Sequence, residues 1–243
     1  MRTRIIIAFL VVTGFAMAVK KAKTENFSVE NYGVKNSGTL LQIKFQKGPE
    51  HNHPLFAIWL ADADGKYIQT LYASESIGRG YFKHSSRTAG KWLPGEIQRP
   101  AALPYWIFQR NEKNEKGGLL PTVLNPVVDA YTGATPQVSF FLNVKTEKPL
   151  NGSYKIMFEL NQSWDWNEAW YNARFQGEKE YQTSSQPALV YSADIQSTKT
   201  GVEIPLKPIG HSHYSGKDGS LTKDLSTITT ALKIAKSITV KVQ

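Results

Sequence analysis

The sequence predicts an all-β fold, an antiparallel sandwich with one long loop insertion and at most one or two short helices. Three observations predict it. Short segments of alternating or continuous apolar residues recur along the chain, and residues typical of turns separate them. Glycine and proline are spread through the sequence rather than clustered. The chain has no cysteine, so an ordinary hydrophobic core must stabilise it in place of disulfides.

The N-terminus has the layout of a cleaved secretory signal. Arg2 and Arg4 supply the positive charge, Ile5–Phe15 form the apolar segment, and Ala16-Met17-Ala18 place small residues at the cleavage positions. The apolar segment is too short for a membrane anchor, and no second one follows. We therefore expect residues 1–18 to be removed and the protein to be periplasmic or otherwise exported, without a transmembrane anchor.

Composition narrows the class of protein further. Without cysteine the chain has neither thiolate metal ligands nor a thiol nucleophile. The net charge of +9 comes from scattered, mostly lysine residues without a dense cluster, so we expect no nucleic-acid partner. Residues 19–38 are polar and lysine-rich, which indicates a flexible lead-in, and residues 39–243 are expected to form a single domain.

The first strands follow the lead-in. Thr39–Gln46 alternates apolar and polar side chains, as a half-buried strand does. Leu55–Ala61 is continuously apolar, which is typical of a central strand. Asp62–Gly65 supplies turn residues, and Tyr67–Tyr72 is the expected returning strand of a hairpin.

The pattern is interrupted from Ser74 to Pro121. Glycine, proline and charged residues break each candidate element, and Gln98–Gln109 alone suggests a short helix. Connections of this length without regular structure are unusual and are often functional.

Strands resume at Gln137–Lys145 and Ser153–Asn161, and the Pro, Asn and Gly residues between them predict a second hairpin. Helical spacing of apolar residues suggests a helix over Thr222–Lys236, although its threonine run disfavours one. Two further strands are predicted, Pro187–Ile195 and Ile238–Val242.

Residues 129–135 read Asp-Ala-Tyr-Thr-Gly-Ala-Thr. They fit the pattern Asp-x-x-Ser/Thr-Gly-Ala-Thr, which resembles the site on which bacterial flavin transferases place FMN through a phosphoester bond. The resemblance implies that Thr135 carries the flavin and that the partners are a flavin transferase and envelope redox proteins. The candidate cofactor-binding residues are Asp129, Thr132, Gly133, Ala134 and Thr135.

An acceptor hydroxyl must enter a second protein's active site, so we expect this segment to be exposed and bendable. Gly133 could take positive φ there, while Asp129 and Thr132 could hydrogen-bond the turn. Tyr105, Trp106 or Tyr131 could stack on the flavin. The alternative is a plain turn leading to the next strand, made rigid by the proline that follows Thr135.

Four segments occur in an order that resembles the predicted periplasmic proteins of domain-of-unknown-function family 2271, from about residue 39 onward. They are Pro54–Tyr72, Leu103–Trp106, Asp129–Thr135 and Leu150–Glu159. The resemblance implies an extracytoplasmic location and a link to flavin-based electron transfer. Asn151–Lys155 also resembles the immunoglobulin-like module of flagellar hook-cap proteins, which implies an immunoglobulin-like sandwich.

Two His-x-His pairs form a second candidate site, His51/His53 and His211/His213. On a strand, residues i and i+2 share a face, so a pair could offer two nitrogens to Zn or Cu. The alternative, which the flanking Pro and Gly residues favour, is histidines in solvated loops.

The segment 161–170 contains three tryptophans with Asp165 and Glu168 between them. Such a segment could stack on a carbohydrate or hold a hydrolytic carboxylate pair, although clustered tryptophans more often anchor a loop to a core. A nucleophile elbow and a phosphate-binding loop are both missing from the sequence, so an enzyme is the weakest class. The favoured hypothesis is an electron carrier, and the alternative is a non-redox binding or structural module of the cell envelope.

Overall fold

A computed structural model of the protein describes residues 25–127, 131–133 and 135–243, and two sheets dominate it. The five-stranded sheet comprises β1 (Phe27–Tyr32), β2 (Leu40–Lys47), β8 (Ser139–Lys145), β11 (Ile204–Pro205) and β14 (Ala235–Val242). The seven-stranded sheet comprises β3 (Leu55–Asp62), β4 (Tyr67–Ser74), β7 (Tyr131–Gly133), β9 (Ser153–Asn161), β10 (Leu189–Gln196), β12 (Lys207–Ser212) and β13 (Leu221–Thr222). The strand order is β1-β8-β2-β14-β11 in the first sheet and β13-β12-β10-β9-β3-β4-β7 in the second.

The remaining elements lie outside the two large sheets. They are the hairpin of β5 (Tyr81–Thr88) and β6 (Lys91–Glu96), the helices α1 (Glu75–Arg79), α2 (Pro104–Arg110) and α3 (Lys179–Ser184), and a 3₁₀ turn over Thr230–Lys233. None of the helices among the described residues is long and apolar enough to cross a membrane.

The two sheets pack face to face around one core, so the all-β sandwich is confirmed. Phe45 and Phe140 of the first sheet have ring centroids 5.0 Å apart, and Phe56 and Phe158 of the second are 5.2 Å apart. Phe56 and Phe140 join the two sheets at 5.4 Å. All four rings are almost fully buried, which makes this stack the centre of the apolar interior.

Strand β3 is buried on both faces, and this explains its continuous apolar run. Phe56, Ile58 and Leu60 face the core between the sheets. Trp59 belongs to a second cluster, in which α2 covers the outer face of the seven-stranded sheet through Trp106. The short helix predicted within Gln98–Gln109 corresponds to α2. It forms a third layer on the outer face of the seven-stranded sheet.

The predicted strands occur close to their predicted positions, and the β3–β4 hairpin is confirmed. The second predicted hairpin is wrong. Strand β8 pairs with β1 and β2, whereas β9 pairs with β3 and β10, so residues 146–152 cross from one sheet to the other. Alternation shows that a strand has a buried face, but both sheets of a sandwich present the same alternation.

Three further segments differ from expectation. Phe27–Tyr32, within the expected flexible lead-in, forms β1 parallel to β8. The long insertion contains the β5–β6 hairpin, which the sequence did not indicate. The helix predicted over Thr222–Lys236 is wrong, since within it only Thr230–Lys233 is helical, as a 3₁₀ helix. Its apolar spacing does mark core residues, because Ile228 and Ala235 are buried. Packing therefore overrides helical periodicity in this threonine-containing segment.

Candidate functional site

Tyr131–Gly133, within the acceptor-like segment, forms β7 at the edge of the seven-stranded sheet. Strand β7 runs parallel to the end of β4, with Ala73 opposite Thr132 and Ser74 opposite Gly133. The chain after Ser74 turns directly into α1, so this edge is bordered by the helix. Asp129 and Ala134 lie outside the described residues, and their predicted roles stay predictions.

Gly133 has a packing role that the sequence did not show. It lies in β7 and does not adopt positive φ, in contrast to the predicted turn. A Cβ at this position would lie 2.5 Å from the hydroxyl oxygen of Tyr32 and 3.3 Å from that of Tyr72. The Tyr72 hydroxyl also donates a hydrogen bond to the Gly133 carbonyl at 2.9 Å. A side chain larger than hydrogen does not fit here without movement of a tyrosine.

Burial raises the pKa of both tyrosine hydroxyls, and the nearby carboxylates of Glu30 and Glu75 raise it further. Tyr32 and Tyr72 are therefore protonated at neutral pH, which keeps the Tyr72 hydroxyl available as a donor to Gly133.

Thr132 contacts α1. A Cβ added to Gly78 would lie 2.7 Å from the Thr132 methyl group, so Gly78 lets the helix approach β7 closely. This contact fixes Thr132 against the helix.

Thr135 is half-buried, and its hydroxyl lies 2.8 Å from the hydroxyl oxygen of Ser74. Ser74 is fully buried and also accepts a hydrogen bond from the Phe56 backbone N–H at 3.0 Å. A serine hydroxyl has one proton and two lone pairs. Ser74 can therefore accept from Phe56 and still donate its proton to Thr135, which keeps the Thr135 oxygen in a defined position.

The proposed flavin-stacking residues differ in accessibility. Trp106 is fully buried, and its indole N–H donates to the Thr70 hydroxyl at 3.0 Å, so it offers no face to a ligand. Tyr105 is half-buried beside Trp59, with ring centroids 6.0 Å apart.

The second histidine pair belongs to an aromatic cluster rather than to a solvated loop. His211 is 7% exposed at the end of β12, its ring packs edge-on against Trp170, and its Nδ1 lies 2.9 Å from the Ser212 carbonyl. His213 stacks on Tyr214 at 4.5 Å. In the described part of the chain, no group of three or more His, Cys, Asp or Glu side chains is placed to hold a metal ion.

The tryptophan-rich segment divides into two parts. Trp166 and Trp170 pack on the core, as expected of anchors. Trp164 does not, since it is 63% exposed and its ring lies 6.3 Å from that of Trp92 on β6. The sequence did not indicate this pair, because its two members come from segments far apart in the chain. Asp165 is half-buried and accepts from the Thr230 hydroxyl, a structural contact.

Comparison with known proteins found no matching family model, no matching curated protein and no matching solved structure. The resemblance to family 2271 therefore stays a prediction that rests on the quoted segments.

Proposed function

We propose that this protein is an exported electron carrier that bears FMN covalently on Thr135. The proposal rests mainly on the Asp-x-x-Thr-Gly-Ala-Thr sequence, whose residues 131–133 lie at the edge of a sheet. The Thr135 hydroxyl is hydrogen-bonded to the buried Ser74 hydroxyl. The isoalloxazine ring supplies the redox chemistry, and the protein supplies its position.

Attachment joins the Thr135 oxygen to the phosphorus of FMN. The donor is a flavin dinucleotide, whose AMP half leaves as the new bond forms, and the threonine proton passes to a base of the transferase. The ester oxygen formed can only accept hydrogen bonds. Ser74 satisfies it, because its own proton is free to donate while Phe56 N–H occupies one of its lone pairs.

The segment is less exposed and less bendable than the sequence predicts, because Tyr131–Gly133 pairs with β4. A transferase would therefore have to reach Thr135 at the sheet edge. Thr135 is half-buried, so its side chain is partly accessible from solvent at the sheet edge. The Thr132 side chain packs against Gly78, and Gly133 packs against the hydroxyl groups of Tyr32 and Tyr72. Thr132 and Gly133 thus anchor the segment to the domain, which ties an attached group to the body of the protein.

The test is an intact-mass measurement after co-expression with an exported bacterial flavin transferase that is active on a known acceptor. We expect the wild type to gain one FMN moiety, and Thr135→Val, which keeps the shape but lacks the hydroxyl, to gain none. Thr222→Val is the control for the substitution itself, because it makes the same change at an exposed threonine on β13, at the opposite edge of the sheet. An unmodified wild type would refute the proposal.

Ser74→Ala tests the positioning of the hydroxyl separately. It removes the partner of Thr135 and leaves the acceptor oxygen in place. We expect slower flavin incorporation with an unchanged final mass. Equal rates for Ser74→Ala and wild type would show that the serine does not position the acceptor.

A further inference from the structure

We propose that Trp92 and Trp164, together with Arg87, form a binding platform for an acidic polysaccharide, one whose sugar rings carry carboxylates. The platform involves none of the residues around Thr135, so the inference does not depend on the proposed flavin.

The two indole rings are exposed and adjacent although their segments are distant in sequence. Trp92 is 41% exposed on β6, and Trp164 is 63% exposed in the loop after β9. Their centroids are 6.3 Å apart and their planes are inclined by 42°. The imidazole of His84 packs edge-on against Trp92 at 6.0 Å. Large aromatic side chains that converge on a surface mark an interaction site more often than single exposed ones do.

The backbone conformation of Trp164 supports a role in binding. Its φ is +63°, in the left-handed region that bulky residues rarely adopt. The indole is 63% exposed, so burial of the side chain does not offset this strain. Strained conformations of this kind cluster at binding sites, where the surrounding structure maintains them.

The flanks of Trp164 are fixed by hydrogen bonds. The side chain of Gln162 accepts from Asn52 N–H at 2.6 Å and donates to the Glu50 carbonyl at 2.9 Å. On the other side, the Asp165 carbonyl accepts from the Gln186 side chain at 2.9 Å. The indole is therefore presented from a fixed loop, which lowers the entropy lost on binding.

The base of the hairpin that carries Trp92 packs on the domain, because Phe82 contacts the second core cluster. The guanidinium of Arg99 lies 5.7 Å from the Phe82 ring centroid and donates to the His84 carbonyl at 3.5 Å. Both indoles are thus carried by segments that contact the body of the domain.

The basic side chains of the hairpin favour a ligand that carries negative charge. Arg87 is the cross-strand partner of Trp92, so the two side chains share one face of the hairpin. Lys83 and Lys91 are exposed on the same two strands, which carry one acid, Glu96, while the loop of Trp164 carries half-buried Asp165, hydrogen-bonded to Thr230, and exposed Glu168. A guanidinium binds a carboxylate through paired hydrogen bonds, while indole faces accept the C–H faces of sugar rings. Exposed aromatic faces beside cations therefore fit a chain of uronic acid rings.

The experiment is calorimetric titration of the wild-type protein with polygalacturonate, with dextran as the neutral polysaccharide and with vesicles of anionic phospholipid. The variants are Trp92→Ala, Trp164→Ala and Arg87→Gln, all at exposed positions. Tyr171→Ala is the matched control, since Tyr171 is exposed in the same loop region and, within the described residues, makes no ring contact with either indole. Thermal unfolding of each variant verifies that it is folded.

We expect polygalacturonate to bind and each tryptophan variant to weaken it about tenfold. Arg87→Gln should weaken binding and reduce its dependence on salt, and Tyr171→Ala should leave affinity unchanged. Equal affinity for dextran, binding to the vesicles alone, no binding to any of the three, or full affinity in both tryptophan variants would each overturn the proposal.

Discussion

Glu159 should make the stability of this protein fall as pH rises. The carboxyl group lies on β9, fully buried, between the sheet and α2. It accepts hydrogen bonds from the first turn of the helix, from Tyr105 N–H at 3.1 Å and Trp106 N–H at 2.7 Å. Burial nevertheless raises its pKa from an ordinary value of 4.5 to about 8, because the hydrogen bonds offset only part of the desolvation cost.

The sign of the effect follows from proton uptake. Between the two pKa values the folded protein holds a proton on Glu159 that the unfolded chain has lost, so the free energy of unfolding falls with pH. The slope from this group is about 1.4 kcal/mol per pH unit, or about 5 kcal/mol over the whole interval. The contribution is fully present below the unfolded pKa and is lost as pH rises through the folded one.

The perturbation is Glu159→Gln, which keeps the shape and removes the titration. The amide nitrogen cannot accept, so one backbone N–H of α2 loses its partner, at a cost of about 1–3 kcal/mol. We expect the variant to be less stable than wild type at acidic pH. The two free energies of unfolding should be equal between about pH 5 and about pH 7, where the loss in wild type matches that cost, and the variant should be the more stable protein above that range.

The assay is urea unfolding followed by tryptophan fluorescence, for both proteins, at intervals from about pH 5 to about pH 9. The difference between the two free energies isolates Glu159, because every other titrating group is common to both. Glu168→Gln, an exposed residue with the same charge change, is the control and should follow wild type. A wild-type to Glu159→Gln difference that is constant with pH would refute the reasoning.

Three other predictions can be checked directly. Gly133→Ala should lower the free energy of unfolding by about 1–3 kcal/mol. Adding Tyr32→Phe should restore part of that loss, because it removes the oxygen that the new methyl group contacts. Additive effects of the two substitutions in denaturant titrations would contradict this. Phe158→Ala should cost about 3–5 kcal/mol in the same assay, since it opens a cavity in the aromatic stack, and a cost below about 1 kcal/mol would contradict the packing. Expression of the sequence with residues 1–18 should yield an exported protein whose mass is that of a chain starting at Val19. An exported protein that retains residues 1–18 would refute the cleavage prediction.

The sequence by itself determined the fold class and most strands. Alternation over Leu40–Lys47 gives a direct record of which side chains are buried, because successive residues of a strand point to opposite faces. Over Ser153–Asn161 alternation identified the strand but not its burial, since Met157, Glu159 and Asn161 on the second face are buried as well. The continuous apolar run of β3 was equally informative, since only a strand covered on both faces needs it.

The tertiary structure alone decided which strands share a sheet and which side chains meet. The separation of β8 from β9 depends on long-range pairing that a local turn does not encode. For the same reason no motif indicated that Ser74 would hold Thr135, that Tyr32 would exclude a side chain at Gly133, or that two indoles 72 positions apart would lie side by side. A motif names the chemistry that a segment can perform, whereas the neighbours that direct that chemistry are set by packing of the whole chain.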